Sequence, residues 1–344
     1  MNIVVNIFIF FISCSLTKVF CKLANNTRLM DNPNERSMHT NSTVRGGGLI
    51  FVGLFLVALL FQTYLTDNYH IEIFTLFVGA LLIAGIGFID DMYNLSAKTR
   101  FVIQCFVAVL ISILVTPNTL NLGFMVLKQQ YIQMFILFFS ALWSINHFNF
   151  MDGIDGLCAS QAIFLFASYS ILFGFHDASI YQAICLMLMA SLLGFLMFNF
   201  PPAKLFMGDV GSATLGFLTF YLAIIGQKQY QIPFYYLFIL NGLFLFDSTI
   251  TLLRRIFEGE KWFSPHKKHA YQRLKQWGLN TRFILLGQYI LNGSLLVMVL
   301  LFEGKYISMA FLVFYSMGIL CSVYYYVECL YPMFAINKKN SVTN

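Results

Sequence analysis

Four short polar segments stand at the ends of long apolar runs: Ile89-Asp90-Asp91-Met92-Tyr93-Asn94, Asn146 to Gly156, Phe206-Met207-Gly208-Asp209-Val210-Gly211-Ser212, and His266-Lys267-Lys268-His269. Each carries side chains able to handle phosphate or a divalent cation. In the adjacent pair Asp90 and Asp91, one carboxylate can order a hydrated magnesium or a basic partner while the other, poised by its neighbour's charge, takes up a proton. The plainer alternative is a pair of solvated aspartates at a helix end. Asn146, Asn149, Asp152 and Asp155 recur at every third position, which on a helix places them on adjacent parts of one face. Gly153 and Gly156 let the chain open there into a tight loop. Such oxygen-bearing side chains suit a magnesium and nucleotide site better than a packing face, because amides and carboxylates are costly to bury without specific partners. His147, within this segment, reads as an interfacial hydrogen-bonder.

Asp209 follows Gly208 at the start of an apolar run, where a helix opening at Gly211-Ser212 would offer its amides to anionic oxygens. A carboxylate beside phosphate is destabilising without a metal, which makes Asp209 a candidate magnesium ligand. Lys204 adds a basic group to the same segment. In the longest loop, Arg254 to Arg282, His266, His269 and Lys268 could clamp a diphosphate and offset the charge that develops on a leaving group. The His-x-x-His spacing also admits zinc, but a structural zinc site takes four ligands and no cysteine or further histidine lies nearby. A solvated basic loop is the other alternative.

The elements that must position these groups follow from composition. Of 344 residues, 59% are hydrophobic, 39 are Phe and only 10% are charged. Long uncharged stretches of this kind define a polytopic membrane protein, each crossing needing about 20 apolar residues as a helix. Apolar spans are predicted near 2–20, 46–65, 71–89, 101–116, 130–146, 157–175, 179–199, 211–226, 232–253, 283–302 and 306–328. The expected fold is an all-α bundle of about 11 transmembrane helices forming one integral membrane domain over 1–344. With that count, only Lys128, Lys228 and Lys305 of the 21 basic residues fall in one set of loops. The basic set then lies in the cytoplasm, the N-terminus outside and the C-terminus inside, and all four polar segments fall on the cytoplasmic side. Met1 to Thr17 has no basic residue ahead of its apolar run, the reverse of a signal peptide's charge order, and is expected to be a first transmembrane helix. The seven cysteines include no Cys-x-x-Cys pair and read as small buried hydrophobes. The net charge of +6 comes from residues flanking the helices and implies no nucleic-acid partner.

Taken in order, Asp90-Asp91-x-x-Asn94, Asn146-x-x-Asn149-x-x-Asp152-Gly153-Ile154-Asp155-Gly156-Leu157, Phe206-Met207-Gly208-Asp209-x-Gly211-Ser212 and His266-x-x-His269-Ala270-Tyr271-Gln272 resemble the polyprenyl-phosphate N-acetylhexosamine-1-phosphate transferases. Upstream, Asp31-Asn32-Pro33 through Arg36-x-x-His39 and Thr43-Val44-Arg45-Gly46-Gly47-Gly48 look like that family's first cytoplasmic loop, so the resemblance spans about residues 30–280. It implies a magnesium-dependent transfer, manganese being a substitute, of sugar-1-phosphate from a UDP-sugar to undecaprenyl phosphate with release of UMP. By the same resemblance Asn149 and Asp209 align with metal ligands, and Asp90 and Asp91 with the acidic pair near the lipid phosphate. Arg100 falls at a basic position that contacts the diphosphate. Asp152 and Asp155 lie in the nucleotide-side loop and His266 and His269 in the phosphate-contacting loop, with Asn146, Lys204 and Lys268 as further candidate substrate-binding residues. The string His-Lys-Lys-His-Ala-Tyr-Gln departs from the consecutive histidines of the peptidoglycan enzymes and looks more like the O-antigen and capsule initiators. Implied partners are a UDP-amino sugar, undecaprenyl phosphate and the bilayer of a bacterial inner membrane, with a homodimer left open. Direct attack of the lipid phosphate is the expected route, a covalent aspartyl intermediate the alternative. A transporter or flippase is the reading from another class, but Asp247 is the only carboxylate deep in a predicted span.

Overall fold

The computed structural model describes residues 3–24, 27–33, 38, 42–67, 69–261, 264 and 266–334. Arg36 and His39 of the first loop, and Lys338 and Lys339 of the tail, lie outside the described residues. In chain order the elements are α1 (Ile3–Leu23), β1 (Met30–Asp31), β2 (Thr43–Val44), α2 (Gly48–Thr66), α3 (Ile71–Tyr93), α4 (Ala97–Leu114), β3 (Leu120–Asn121), β4 (Val126–Leu127), α5 (Gln130–Phe150), α6 (Leu157–Phe175), α7 (Ser179–Asn199), α8 (Gly208–Tyr230), α9 (Tyr236–Leu240), α10 (Gly242–Phe257), α11 (Ala270–Gln276), α12 (Thr281–Glu303) and α13 (Met309–Leu330). The only sheets among the described residues are two antiparallel two-residue pairs, β1 with β2 and β3 with β4.

Ten of these helices are long and apolar enough to cross a membrane: α1 to α8, α12 and α13. The protein is an all-α, multi-pass membrane protein. Each of the ten coincides with a predicted span to within a few residues. The eleventh predicted span, 232–253, is divided: Pro233 lies in the coil before α9, and Asn241 interrupts the helix before the 16-residue α10.

The chain forms two compact units, Met1–Asn32 with Asn41–Phe238, and Pro33–Thr40 with Ile239–Asn344. In the first, α8 is the most buried of the long helices. It packs on α3 and α5, while α7 packs on α1 and α6. The Ser144 hydroxyl on α5 donates to the Gly216 carbonyl of α8 (2.9 Å), an interhelical bond of the kind lipid-embedded helices use where tails give no hydrophobic drive. At the far end of the α3/α8 pair, Tyr221 donates to the Glu72 carbonyl (2.6 Å) and Lys228 pairs with Glu72 (3.1 Å). In the second unit, Arg254 of α10 forms a two-pronged pair with Glu328 of α13 (2.7 and 2.9 Å), and Arg273 of α11 adds a third bond to the same carboxylate (2.5 Å).

Candidate active site

In the first unit, four helices present polar ends to one another. Asp90 and Asp91 close α3, Arg100 opens α4, Asn149 lies in the last turn of α5, and Asp209 opens α8. Glycine sets the approach of α3 to α8. A Cβ on Gly87 would stand 2.6 Å from the Val210 nitrogen and 2.7 Å from the Asp209 carbonyl oxygen. Gly208, with φ +71°, turns the chain into α8 directly against the Asp91 carboxylate.

That carboxylate is 1% exposed. Its Oδ1 accepts from the Asp209 amide (3.0 Å) and its Oδ2 from the Val210 amide (3.2 Å), so Asp91 caps the first turn of α8 from another helix. Arg45 donates to the Asp91 carbonyl (2.5 Å) and to Asn94 Oδ1 (3.0 Å). Asp90 faces differently. Its Oδ1 accepts from the Leu95 amide (2.7 Å) and its Oδ2 from Arg100 Nη1 (2.9 Å), and the same Nη1 donates to Asp209 Oδ2. One guanidinium nitrogen thus bridges carboxylates 119 positions apart.

Asn149 Nδ2 donates to the Ser212 hydroxyl (3.1 Å), which leaves the amide oxygen as the atom able to meet a cation. Asp152 lies in the connection between α5 and α6. Burial, with the Asp209 and Asp91 carboxylates nearby, pushes it well above the usual carboxylate range. Asn199 staples that connection to the segment before α8, accepting from the Gly156 amide (3.1 Å) and donating to the Leu205 carbonyl (2.9 Å). Asp155 adds a second staple, accepting from the Ala203 amide (2.9 Å). The Gly47 and Gly48 amides donate to the Phe206 and Met207 carbonyls (2.9 and 2.8 Å), which fixes the first loop to the same segment.

Asp90, Asp91, Arg100, Asp152 and Asp209, with Asn149 on the Ser212 hydroxyl, therefore converge at one end of the first unit. Asn146 is turned to Gln104 Oε1 (2.9 Å) and to the Leu142 carbonyl of its own helix. Lys204 is exposed, and its carbonyl accepts from Cys21 Sγ (3.4 Å). His147 is buried with Nδ1 2.9 Å from the Trp143 carbonyl, a hydrogen-bonder as expected.

The second unit carries its own polar cluster. His266 Nδ1 accepts from the Lys268 amide (3.2 Å), so the hydrogen of the neutral ring sits on Nε2. Burial, then the neighbouring His269, Arg255 and Lys268, push His266 down to about 3. His269 is 4% exposed, its ring centroid 4.8 Å from that of His266. Lys268 pairs with Glu260 and lies 4.6 Å from the Phe334 ring centre. Burial raises Glu260, but Lys268 and Arg255 outweigh it and hold the carboxyl below its usual range. Sequence reasoning passed over Arg45, Gln104, Ser212, Arg255 and Glu260 as site residues. Gln104 carried a signal, standing one helical turn after Arg100 in an apolar run; Arg45 carried one in preceding three glycines.

A family model, Glycosyl transferase family 4, matches residues 73–227. The chain is 30% identical over 293 residues to a protein of Bacillus subtilis (strain 168) named probable undecaprenyl-phosphate N-acetylglucosaminyl 1-phosphate transferase, covering 80% of this chain and 78% of that one. It is 32% identical over 304 residues to the decaprenyl-phosphate N-acetylglucosaminephosphotransferase of Mycobacterium leprae (strain TN), with 79% and 76% covered. To the undecaprenyl-phosphate alpha-N-acetylglucosaminyl 1-phosphate transferase of Escherichia coli (strain K12) it is 27% identical over 281 residues, with 77% and 74% covered.

Proposed function

The chain belongs to glycosyl transferase family 4, and from that membership we propose that it transfers an N-acetylhexosamine-1-phosphate, or a modified derivative, from a UDP-sugar to undecaprenyl phosphate, releasing UMP. The observation that carries this reading is the meeting of Asp90 and Asp209 on Arg100, with Asp91 on the first amides of α8 and Asn149 on the Ser212 hydroxyl of the same helix, side chains gathered from separate helices. Two anionic reactants repel, so a site that joins them must offset charge and hold both in line.

The donor set fits magnesium. It offers hard oxygens, the carboxylates of Asp209 and Asp90 and the amide oxygen of Asn149. Magnesium is bound in just this way, through one or two carboxylates with the rest of its shell left to water and substrate phosphates. Asp209 and Asn149 would hold it, with Asp90 beside them. Bound there, it would neutralise phosphate oxygens as charge moves to the leaving UMP.

The chain's own residues divide the remaining work. Asp90, less buried than Asp91 and contacting Arg100, is placed to take a residual proton from the lipid phosphate. Asp91, with both oxygens on backbone amides, fixes where Asp209 stands. Arg100 offers a cation to the donor diphosphate; within the second unit, the His266 Nε2 hydrogen is a neutral donor suited to a phosphate oxygen. The distribution of basic residues supports a cytoplasmic active face in a bacterial inner membrane, where the nucleotide is dissolved and the lipid phosphate is in reach.

The test is full-length protein in membranes with undecaprenyl phosphate and a panel of radiolabelled UDP-sugars, scored for UMP release and lipid-linked product. At least one UDP-N-acetylhexosamine gives product, and a chelator abolishes it. Absence of product from every donor would overturn the proposal and return the transporter reading.

A further inference from the structure

Asp247 is a buried carboxylate that the reaction as described does not use, and it lies beyond the stretch matched by the family model. It sits on α10 with Thr251 and Arg255 at intervals of four residues, so the three share one helix face, and all are buried. This polar rail holds both ends of the loop that carries His266, Lys268 and His269. At the near end, Arg255 donates to Glu260 (2.9 Å), to the Lys261 carbonyl (2.9 Å) and to the Ser264 hydroxyl (2.7 Å). At the far end, both Asp247 oxygens accept from the Ala270 amide (2.9 and 2.8 Å), and Thr251 donates to Asp247 Oδ1 (3.0 Å).

Those hydrogen bonds alone do not require a charge, since the amide oxygen of an asparagine could accept from the same donors. A buried carboxylate is costly, and it is retained where a cationic or N–H partner faces it. That partner is His269, whose Nδ1 stands 3.6 Å from Asp247 Oδ1. At that separation the contact is electrostatic rather than a hydrogen bond, and together with the Ala270 amide on the same carboxylate it fixes where the ring stands. His269 is buried, so the consequence passes outward through its ring to His266, the half-buried member of the pair.

We propose that Asp247 is a positioning residue of the transfer reaction, acting through His269 to hold the His266 ring in one orientation, with Nε2 presented to the donor's phosphates. This rests on the reading of His266 as a phosphate-facing group. A misplacement of such a donor by about 1 Å is enough to cost up to roughly 100-fold in rate.

The experiment is a double-mutant cycle in full-length enzyme, measuring kcat and donor KM for wild type, Asp247→Asn, His266→Ala and the double variant, each normalised to monodisperse protein. Asp247→Asn lowers kcat by about tenfold or more, with donor KM changed less. In the His266→Ala background the same substitution costs less than about twofold, since the group it positions is gone. A multiplicative loss in the double variant, or a wild-type kcat in Asp247→Asn, overturns the inference. Thr251→Val separates positioning from folding: it removes a hydrogen bond to the same carboxylate but leaves the charge beside His269. It lowers the melting temperature while kcat stays within about twofold of wild type. A Thr251→Val kcat loss equal to that of Asp247→Asn means that the rail only holds the fold, and also overturns the inference. Failure of the transferase reading looks different, because wild type then yields no lipid-linked product from any UDP-sugar and both proposals fall together.

Discussion

Replacing Arg100 with glutamine should tighten, not weaken, the binding of a divalent cation to the substrate-free enzyme. Arg100 Nη1 lies 2.9 Å from Asp90 Oδ2 and also contacts Asp209 Oδ2. A cation that takes the Asp209 oxygen at about 2.1 Å must displace the guanidinium from it. Each charge-assisted hydrogen bond of this kind is worth about 1.5–3 kcal/mol net. The Arg100 side chain is 32% exposed, and solvent screening of a partly exposed pair cuts the total to roughly 1–2 kcal/mol. With about 1.4 kcal/mol per factor of ten, removing the competitor lowers Kd by roughly 5- to 30-fold. Glutamine also leaves the carboxylates with one positive neighbour fewer, which acts in the same direction. The assay is a manganese titration of purified full-length protein, free manganese being read by electron paramagnetic resonance with no donor or lipid present. Turnover should move the opposite way, with donor KM raised, because the group facing the diphosphate is lost. Arg100→Lys keeps the charge on a flexible stem and falls between the two. An unchanged or weaker manganese affinity in Arg100→Gln would refute the reasoning, for it would mean that the arginine organises the carboxylates rather than competing for them.

Other outcomes follow from the same geometry. Gly87→Ala forces α3 away from the start of α8 at a cost of about 1–3 kcal/mol, lowering both melting temperature and kcat, whereas Gly85→Ala, with nothing within 4 Å of the added carbon, is tolerated. Asp91→Asn leaves one of two backbone amides without its acceptor and destabilises by about 1–3 kcal/mol in thermal unfolding; equal stability to wild type would show that the cap on α8 is dispensable. His266 stays neutral across the physiological range, since its pKa in the folded protein is pushed down to about 3 while the unfolded ring titrates near 6.5. Between those values the unfolded chain binds the additional proton, so stability is lost as pH falls from 6.5 toward 3, and His266→Gln flattens that slope. Histidine-labelled NMR showing His266 titrating between pH 5 and 8 would contradict this. Asp209→Asn is expected to insert normally yet lose turnover and magnesium dependence in the radiolabel assay, and retained activity would remove Asp209 from the metal site.

The hydrophobic pattern carried the helices because lipid leaves the backbone one solution, and that solution depends only on local composition. It failed locally at 232–253, where Asn241, apolar on both sides, breaks a helix that a hydropathy window reads through. The site residues were legible as types but not as roles. Asp90 and Asp91 are neighbours with the same chemistry, and no rule of spacing separates them. Their difference arises from partners that spacing does not show, with Asp91 reaching the amides of Asp209 and Val210 more than a hundred residues on while Asp90 meets Arg100 ten residues away. The same holds for Asp247, visible in the sequence as a lone carboxylate in an apolar run. That isolation spoke against a transport path without giving the residue a role, and only the Ala270 amide and the His269 ring, 23 and 22 positions away, turn it into an anchor for the histidine loop. A charge in a membrane span marks a place where something must compensate it. Which partner does so is a tertiary fact, and in this protein it separates the carboxylates that hold helices in place from those left to meet phosphate.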